Sequence, residues 1–323
     1  MRGTALVLAS LLVPLRPAPA AGAPAPAPPL RITLLGTGNP RPTPARSGPA
    51  TLVEAATTPP TRILVDAGRG AAERLFTVGG RDLLAGVDLV LLTHLHSDHV
   101  VGLPDLWLTG WLFGRARAFA VRGPEGTAAM MGHIEKAFDF DVRMRRDLDE
   151  RLPGAGVAVD AHDVPPDATF RVSETSEVKV TPFLVDHGPV KPAYGWRIDY
   201  AGKSVVLSGD TRYSENLIAH AKGCDVLIHE VVAPDVERRA SVLRDPAATQ
   251  RVIDHHTTPE EAGRIFSAVK PKLAVYSHIV PSPATAEDLE GPTRRTYAGP
   301  LVVGEDMMVI DVRERPEVEK VSR

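Results

Sequence analysis

Residues 93–99 read Thr-His-Leu-His-Ser-Asp-His and directly follow the apolar run Val-Asp-Leu-Val-Leu-Leu at residues 87–92. Three of the 11 histidines and an aspartate therefore lie at the end of a predicted buried strand. His94 and His96 are two positions apart, so an extended backbone points both side chains the same way. A turn after them brings Asp98 and His99 toward a second ligand position. Imidazole and carboxylate groups without thiolate suit zinc, manganese or iron, so this stretch predicts a metal site.

Several other apolar runs also end in a residue that can bind a metal. Each such histidine, taken alone, is more often a structural or surface residue than a ligand. Their shared position matters, because the ends of strands are where α/β sheets build binding sites. An aspartate among them can bridge two metal ions. These residues are His187, Asp210, His229, Glu230 and His278.

The pattern of short apolar runs and amphipathic segments predicts a single α/β domain. With 43% hydrophobic residues, the chain has enough apolar side chains for a core. Trp107 and Trp111 are expected in that core, and the charged segment 139–177 is interpreted as a loop-rich excursion. Helices are predicted over Gly70–Val78, Val101–Phe113, Pro124–Phe138, Ser214–Lys222 and Pro259–Val269.

The N-terminal sequence predicts export, to the periplasm or the medium. Residues 1–20 have the charge pattern, apolar stretch and small-residue end of a signal peptide. Residues 21–29 read as a Pro/Ala-rich linker, 30–312 as the domain and 313–323 as a tail. No membrane span is expected after cleavage. Cys224 is the single cysteine, so the domain depends on its core or on metal rather than on an internal disulfide.

The charge of the chain is mildly acidic. The formal net charge is −3, and loss of residues 1–20 removes Arg2 and Arg16 but no acid, which gives −5. Nucleic-acid-binding proteins usually present a basic face. We therefore expect no nucleic-acid partner and a small-molecule ester substrate instead. A homodimer is an open expectation.

Six motifs together resemble the metallo-β-lactamase superfamily, and within it the ribonuclease Z-related branch with its exported arylsulfatase-like and phosphodiesterase-like enzymes. The resemblance covers residues 30–310 and implies a four-layer αβ/βα sandwich with metals at one edge of the sheets. No basic, glycine-rich arm of a transfer-RNA processing enzyme is found in the sequence. The motifs are LLGTGNPRPTPARSGPATLVE, THLHSDHVVGLPDLWLTGW, HGPVKPAYGWRI, SGDT, DVLIHEV and HHTTPEEAG.

The resemblance also implies a set of ligands for two divalent ions. Zinc is the expected metal, with manganese and iron as alternatives. The first ion would be held by His94, His96 and His187, the second by Asp98, His99 and His278, and Asp210 would bridge them.

Further roles follow from the same resemblance. Asp98 is counted among the catalytic residues, and His256, paired with Glu230, would protonate the leaving group. Spacing alone does not separate His256 from the adjacent His255. Asp66 would fix the orientation of a ligand. Two expectations rest on local sequence instead: His229, inside an apolar run, is expected to pack or to support a ligand, and Tyr194 either faces the substrate or packs.

The leading functional hypothesis is a metal-dependent hydrolase of phosphodiesters or sulfate esters. A water between two divalent ions has a pKa of about 7, which supplies hydroxide at neutral pH. One alternative is hydrolysis of a lactone or β-lactam with the same hydroxide, which does not require Glu230 and His256. Another is a non-catalytic metal- or ligand-binding protein of the cell envelope.

Overall fold

The computed structural model describes residues 27–319 of the 323-residue chain. These residues form two mixed β-sheets. The strands of the first sheet are β1 (Leu30–Gly36), β2 (Ala50–Ala55), β3 (Thr61–Val65), β4 (Leu89–Leu91), β5 (Phe119–Gly123), β6 (Val159–Asp163), β14 (Met308–Val312) and β15 (Glu317–Glu319). Those of the second are β7 (Phe170–Arg171), β8 (Lys179–Leu184), β9 (Tyr194–Tyr200), β10 (Lys203–Leu207), β11 (Val226–Val232), β12 (Leu273–Val280) and β13 (Leu301–Val303).

Helices cover the outer face of each sheet. On the side of the first sheet are α1 (Ala71–Ala85), interrupted at Gly79 and Gly80, then α2 (Ser97–Val100), α3 (Leu103–Leu112), α4 (Thr127–Ala137) and α5 (Asp139–Arg143). The C-terminal half of the chain contributes α6 (Glu215–Ala221), α7 (Pro234–Ala240), α8 (Pro246–Asp254), α9 (Pro259–Val269) and α10 (Ala286–Thr293). The start of α9 is fixed by a capping box, in which Thr258 and Glu261 each accept from the other's backbone N–H.

Three apolar cores separate four layers. In β4, Leu89 and Leu91 face the core between the sheets, whereas Val90 faces the core under α1, α3 and α4. The second sheet alternates in the same way and packs its outer face on α6, α9 and α10. Both faces of these strands are buried, which explains why their sequences are continuous apolar runs. The predicted four-layer sandwich is confirmed.

The strand order places the carboxyl ends of the central strands at one edge. The first sheet runs β15-β14-β1-β2-β3-β4-β5-β6, and its strands β3 to β6 are parallel. The second sheet runs β13-β12-β11-β10-β9-β8-β7, with β10 to β13 parallel. Because β8 and β10 are both antiparallel to β9, β8 ends at the same edge as β10.

The predicted helices are all present, but five other α-helices among the described residues were not predicted. These are α2, α5, α7, α8 and α10. Helix α7 has only one buried side chain, that of Glu237, so it lacks an apolar periodicity. The excursion 139–177 is more regular than expected, because it contains α5, the edge strand β6 and the short strand β7. Trp107 and Trp111 are buried in the core, as expected.

The last apolar run, residues 301–310, forms two strands instead of one. β13 pairs with β12 in the second sheet, whereas β14 pairs with β1 in the first. The chain crosses between the sheets through Gly304 and Met307, and the latter has a φ of 69°. The segment predicted as a tail contributes β15, which pairs with β14.

The predicted signal peptide and linker residues 21–26 lie outside the described residues. Among the described helices, none combines the length and the apolar character needed to traverse a bilayer.

Candidate metal centre

The seven predicted ligands converge at the sheet edge where the central strands end. His94 and His96 follow β4, Asp98 and His99 lie on α2, and His187 follows β8. Asp210 follows β10, and His278 lies near the end of β12. Six of the seven side chains are buried, and His96 is partly exposed.

Three histidines form the first cluster. Nε2 of His187 lies 3.4 Å from Nδ1 of His96. The ring of His94 lies 4.7 Å from that of His96 and 4.9 Å from that of His187. Their ligand atoms lie within 4.8 Å of one another, which is close enough for one metal ion.

An aspartate and two histidines form the second cluster. Oδ2 of Asp98 lies 3.3 Å from Nε2 of His278 and 3.6 Å from Nε2 of His99. The rings of His99 and His278 are stacked at 5.0 Å. This set differs from the first in that a carboxylate replaces one imidazole.

Asp210 lies between the two clusters. Its Oδ2 is 3.9 Å from Nε2 of both His94 and His187 in the first cluster. It is 3.5 Å from Nε2 of His99 and 3.3 Å from Nε2 of His278 in the second. One carboxylate therefore contacts both ligand sets, the position required of a bridging ligand.

The spacing and the unpartnered atoms of this cluster fit divalent cations. With bonds of about 2.0–2.1 Å, tetrahedral ligand atoms lie about 3.4 Å apart, close to the 3.3–3.9 Å separations seen here. Nε2 of His94, Nε2 of His99 and Oδ1 of Asp210 are buried without a hydrogen-bond partner. Buried polar atoms are rarely left unpaired, so a bound cation accounts for these.

The electrostatics differ between the two ligand clusters. Burial lowers the pKa of His94 well below its usual value and lowers that of His187 to about 4, so both imidazoles are neutral near pH 7. Burial alone would raise the pKa of Asp210, but His278 and His99 hold it well below its usual value. Burial lowers the pKa of His99 and His278, but Asp210 and Asp98 raise it above its usual value, so these two imidazoles release a proton when a cation binds. Neutral imidazole and ionised carboxylate are the forms that bind metal.

Asp66 contacts a predicted ligand directly. Its Oδ2 lies 2.8 Å from Nδ1 of His99, and its Oδ1 accepts a hydrogen bond from the backbone N–H of Thr93 at 2.8 Å. The carboxylate thus holds the far side of the His99 ring and leaves Nε2 for the metal cluster.

Glu230 and His256 lie beside the two clusters as a buried pair. Oε2 of Glu230 is 3.2 Å from Nδ1 of His256, and its Oε1 accepts from the backbone N–H groups of Thr257 and Thr211 at 2.8 and 3.2 Å. Burial raises the pKa of Glu230 to about 8 and lowers that of His256 to about 4. The pair therefore holds one proton near pH 7.

The structure separates His255 from His256. The backbone carbonyl of His255 accepts a hydrogen bond from Nδ1 of His187 at 3.0 Å. Its side chain is only partly buried and is not paired with Glu230. His256 is therefore the histidine that meets the carboxyl group.

His229 and Tyr194 lie outside the ligand clusters. Alternation along β11 turns His229 away from the site, so it packs against Phe266 and donates from Nδ1 to the carbonyl of Glu230. Of the two alternatives expected for His229, the structure shows packing. Tyr194 is buried and donates its hydroxyl to the carbonyl of Val164, so it packs rather than offering that hydroxyl to a substrate.

Two supporting residues had not been singled out from the sequence. Asn39 is buried and donates from Nδ2 to the carbonyl of Ile279 at 2.6 Å, next to His278. His278 has a φ of 43°, so this contact supports a ligand in the left-handed region. The side chain of Thr93 contacts both Asp66 and His94. Thr93 is the first residue of the motif at 93–99, and Asn39 lies within the motif LLGTGNPRPTPARSGPATLVE, in the turn that follows β1.

Comparison with known proteins agrees with this geometry. The family profile described as "Beta-lactamase superfamily domain" matches residues 61–279. Ribonuclease Z of Mycobacterium bovis is 36% identical over 301 residues, which cover 88% of this chain and 99% of that protein. Ribonuclease Z of Mycobacterium tuberculosis is 34% identical with the same coverage.

Solved structures show the same fold at low sequence identity. The metallo-β-lactamase fold protein YhfI from Bacillus subtilis has a TM-score of 0.63 at 19% identity, covering 87% of this chain and 98% of that one. The short form of human tRNase Z has a TM-score of 0.62 at 20% identity, covering 88% and 99%.

The names of these relatives contradict the expectation that nucleic acids are excluded as partners, and that expectation is wrong. It rested on net charge, which sums over the whole surface, whereas a phosphate needs positive charge only where it binds. The matched profile, the full-length relatives and the fold together show that the chain belongs to the metallo-β-lactamase superfamily, with ribonucleases Z among its relatives.

Proposed function

We propose that this protein hydrolyses phosphodiester bonds of RNA with the help of two divalent metal ions. The observation that carries the proposal is the convergence of two ligand clusters on Asp210, directly beside the Glu230–His256 pair. Relatives named ribonuclease Z, aligned over nearly their full length, support RNA as the substrate class.

Each cluster has a defined task in this proposal. His94, His96 and His187 would hold one ion, and Asp98, His99 and His278 the other, with Asp210 between them. When bound, the ions supply a hydroxide at neutral pH and neutralise the charge that develops on phosphoryl oxygens. The protein itself fixes the donors by burial, so that little reorganisation is needed during the reaction.

The Glu230–His256 pair supports ester chemistry with a poor leaving group. The oxygen that leaves from an RNA phosphodiester is an alkoxide, which must be protonated as the bond breaks. His256 contacts Glu230 through Nδ1, which leaves Nε2 to carry a proton to that oxygen. Opening of a lactone or β-lactam by the same hydroxide does not need this pair, so its presence favours phosphodiesters over that alternative.

A substrate panel tests the proposal. Zinc-loaded protein is incubated with a transfer-RNA transcript, an unstructured RNA oligonucleotide, bis(p-nitrophenyl) phosphate, an aryl sulfate and a lactone, with Asp210→Ala as the control. We expect cleavage of RNA and of the aryl phosphodiester by the wild type, and loss of both in the variant. A protein that binds two zinc ions but hydrolyses only the sulfate or the lactone would contradict the proposal.

A further inference from the structure

Thr93 lies between a metal ligand and the carboxylate of Asp66. Its side chain is buried, and Oγ1 is 2.9 Å from Oδ2 of Asp66 and 3.0 Å from Nδ1 of His94. A carboxylate only accepts hydrogen bonds, so the hydroxyl donates to Asp66 and its oxygen accepts from the Nδ1–H of His94. That tautomer leaves the Nε2 lone pair of His94 free for a metal ion.

The same carboxylate oxygen also contacts a ligand of the second cluster. Oδ2 of Asp66 is 2.8 Å from Nδ1 of His99. One oxygen atom is thus connected directly to a ligand of the second cluster and, through Thr93, to a ligand of the first. Asp66 itself has a φ of 60°, an uncommon conformation for a residue other than glycine.

The other groups of Thr93 are also engaged. Its carbonyl accepts from the backbone N–H of Tyr194 at 2.8 Å. Its methyl group lies beside Gly209, where an added Cβ would come within 3.3 Å of it. Because Gly209 precedes Asp210, the Thr93 side chain packs next to the bridging ligand as well, and its rotamer is fixed from two sides.

We propose that Thr93 is a positioning residue that orients His94 and, together with Asp66, ties the two metal sites to one carboxylate. This inference rests on the proposed two-metal site. Nδ1 of His99 is 3.4 Å from the Thr93 hydroxyl, but its single hydrogen is taken by Asp66 at 2.8 Å. The inference therefore predicts unequal roles: loss of the Thr93 hydroxyl affects the cluster of His94, whereas loss of the Asp66 charge affects both clusters.

The test measures metal binding rather than turnover. Zinc content is determined after dialysis, and stepwise zinc affinities are obtained by competition with a chromophoric chelator. Three variants are compared. Thr93→Val is nearly isosteric but has no hydroxyl, whereas Thr93→Ser keeps the hydroxyl. Asp66→Asn removes the charge of the carboxylate. Thermal unfolding of the metal-free proteins shows whether each variant folds, and Thr93→Ala replaces Thr93→Val if the latter does not.

We expect Thr93→Val to bind one of its two ions about 10–100-fold more weakly and to keep the other near wild-type affinity. Thr93→Ser should retain both, and Asp66→Asn should weaken both. Wild-type affinity for both ions in Thr93→Val would overturn the inference, as would equal weakening of both ions in that variant. A wild-type protein that binds fewer than two zinc ions would instead refute the two-metal site, and with it the proposed function.

Discussion

Replacing His256 by alanine is the most informative single change at the proposed active site. The imidazole is buried beside Glu230, whose other carboxylate oxygen is fixed by two backbone N–H groups. The alanine variant therefore loses the proposed proton donor, while all seven predicted metal ligands keep their side chains. Loss of a positioned general acid costs about 10²–10⁴ in rate, or roughly 3–5 kcal/mol of transition-state stabilisation.

The loss should depend on the leaving group. For RNA, whose leaving alkoxide needs a proton, we expect the full reduction in kcat/KM. For bis(p-nitrophenyl) phosphate, whose aryloxide leaves without one, we expect less than about a tenfold reduction. Rates on both substrates are compared at equal zinc content, with thermal unfolding as a check on the fold.

His255→Ala is the matched control. His255 contacts Nδ1 of His187 through its backbone carbonyl, so that hydrogen bond survives removal of the side chain. We expect a small effect on both substrates. Equal losses on RNA and on the aryl diester in His256→Ala, or a larger RNA-specific loss in His255→Ala, would refute the assignment of His256 as proton donor.

Four further outcomes are expected. Removal of metal with a chelator should lower the melting temperature, and zinc should restore it, because zinc at 100 times its Kd adds about 2.7 kcal/mol to the free energy of unfolding. Cys224, buried with its pKa raised to about 12, should react with Ellman's reagent at pH 8 only after denaturation; rapid labelling of the native protein would argue against its burial. Gly209→Ala should lower stability by about 1–3 kcal/mol and reduce zinc content, since Gly209 has a φ of 60° and a Cβ there would lie 2.3 Å from the carbonyl oxygen of Tyr194. Export remains a prediction. N-terminal sequencing of the secreted or periplasmic protein tests it, and we expect Ala21 to be the first residue.

The position of the ligands at one sheet edge was predictable because each ligand follows or ends an apolar run, whereas their division into two clusters came from the resemblance to the metallo-β-lactamase superfamily. Parallel strands bring their carboxyl ends to one edge, so Asp210 and His278 meet the motif at residues 94–99 even though they are far from it in sequence. Spacing alone did not separate His255 from His256, because adjacent residues have the same spacing to every other motif. The resemblance favoured His256, and in the structure His256 is the histidine that contacts Glu230.

Other features depend on contacts that have no sequence pattern. The backbone N–H groups of Thr211 and Thr257 fix Glu230, and any residue except proline supplies such a donor. The assignment of β13 and β14 to different sheets could likewise not be predicted, because their sequence resembles that of one continuous strand. Helix α7 was missed because it covers the rest of the domain with few apolar side chains.

The position of β14 has a consequence for synthesis of the protein. β1, near the start of the domain, pairs on one side with β14, and Arg31 forms an ion pair with Asp311 across 280 positions. On the ribosome, that side of β1 stays without its partner until almost the whole domain has emerged. We expect the nascent chain to remain protease-sensitive until then, and the sandwich to close only after translation is nearly complete.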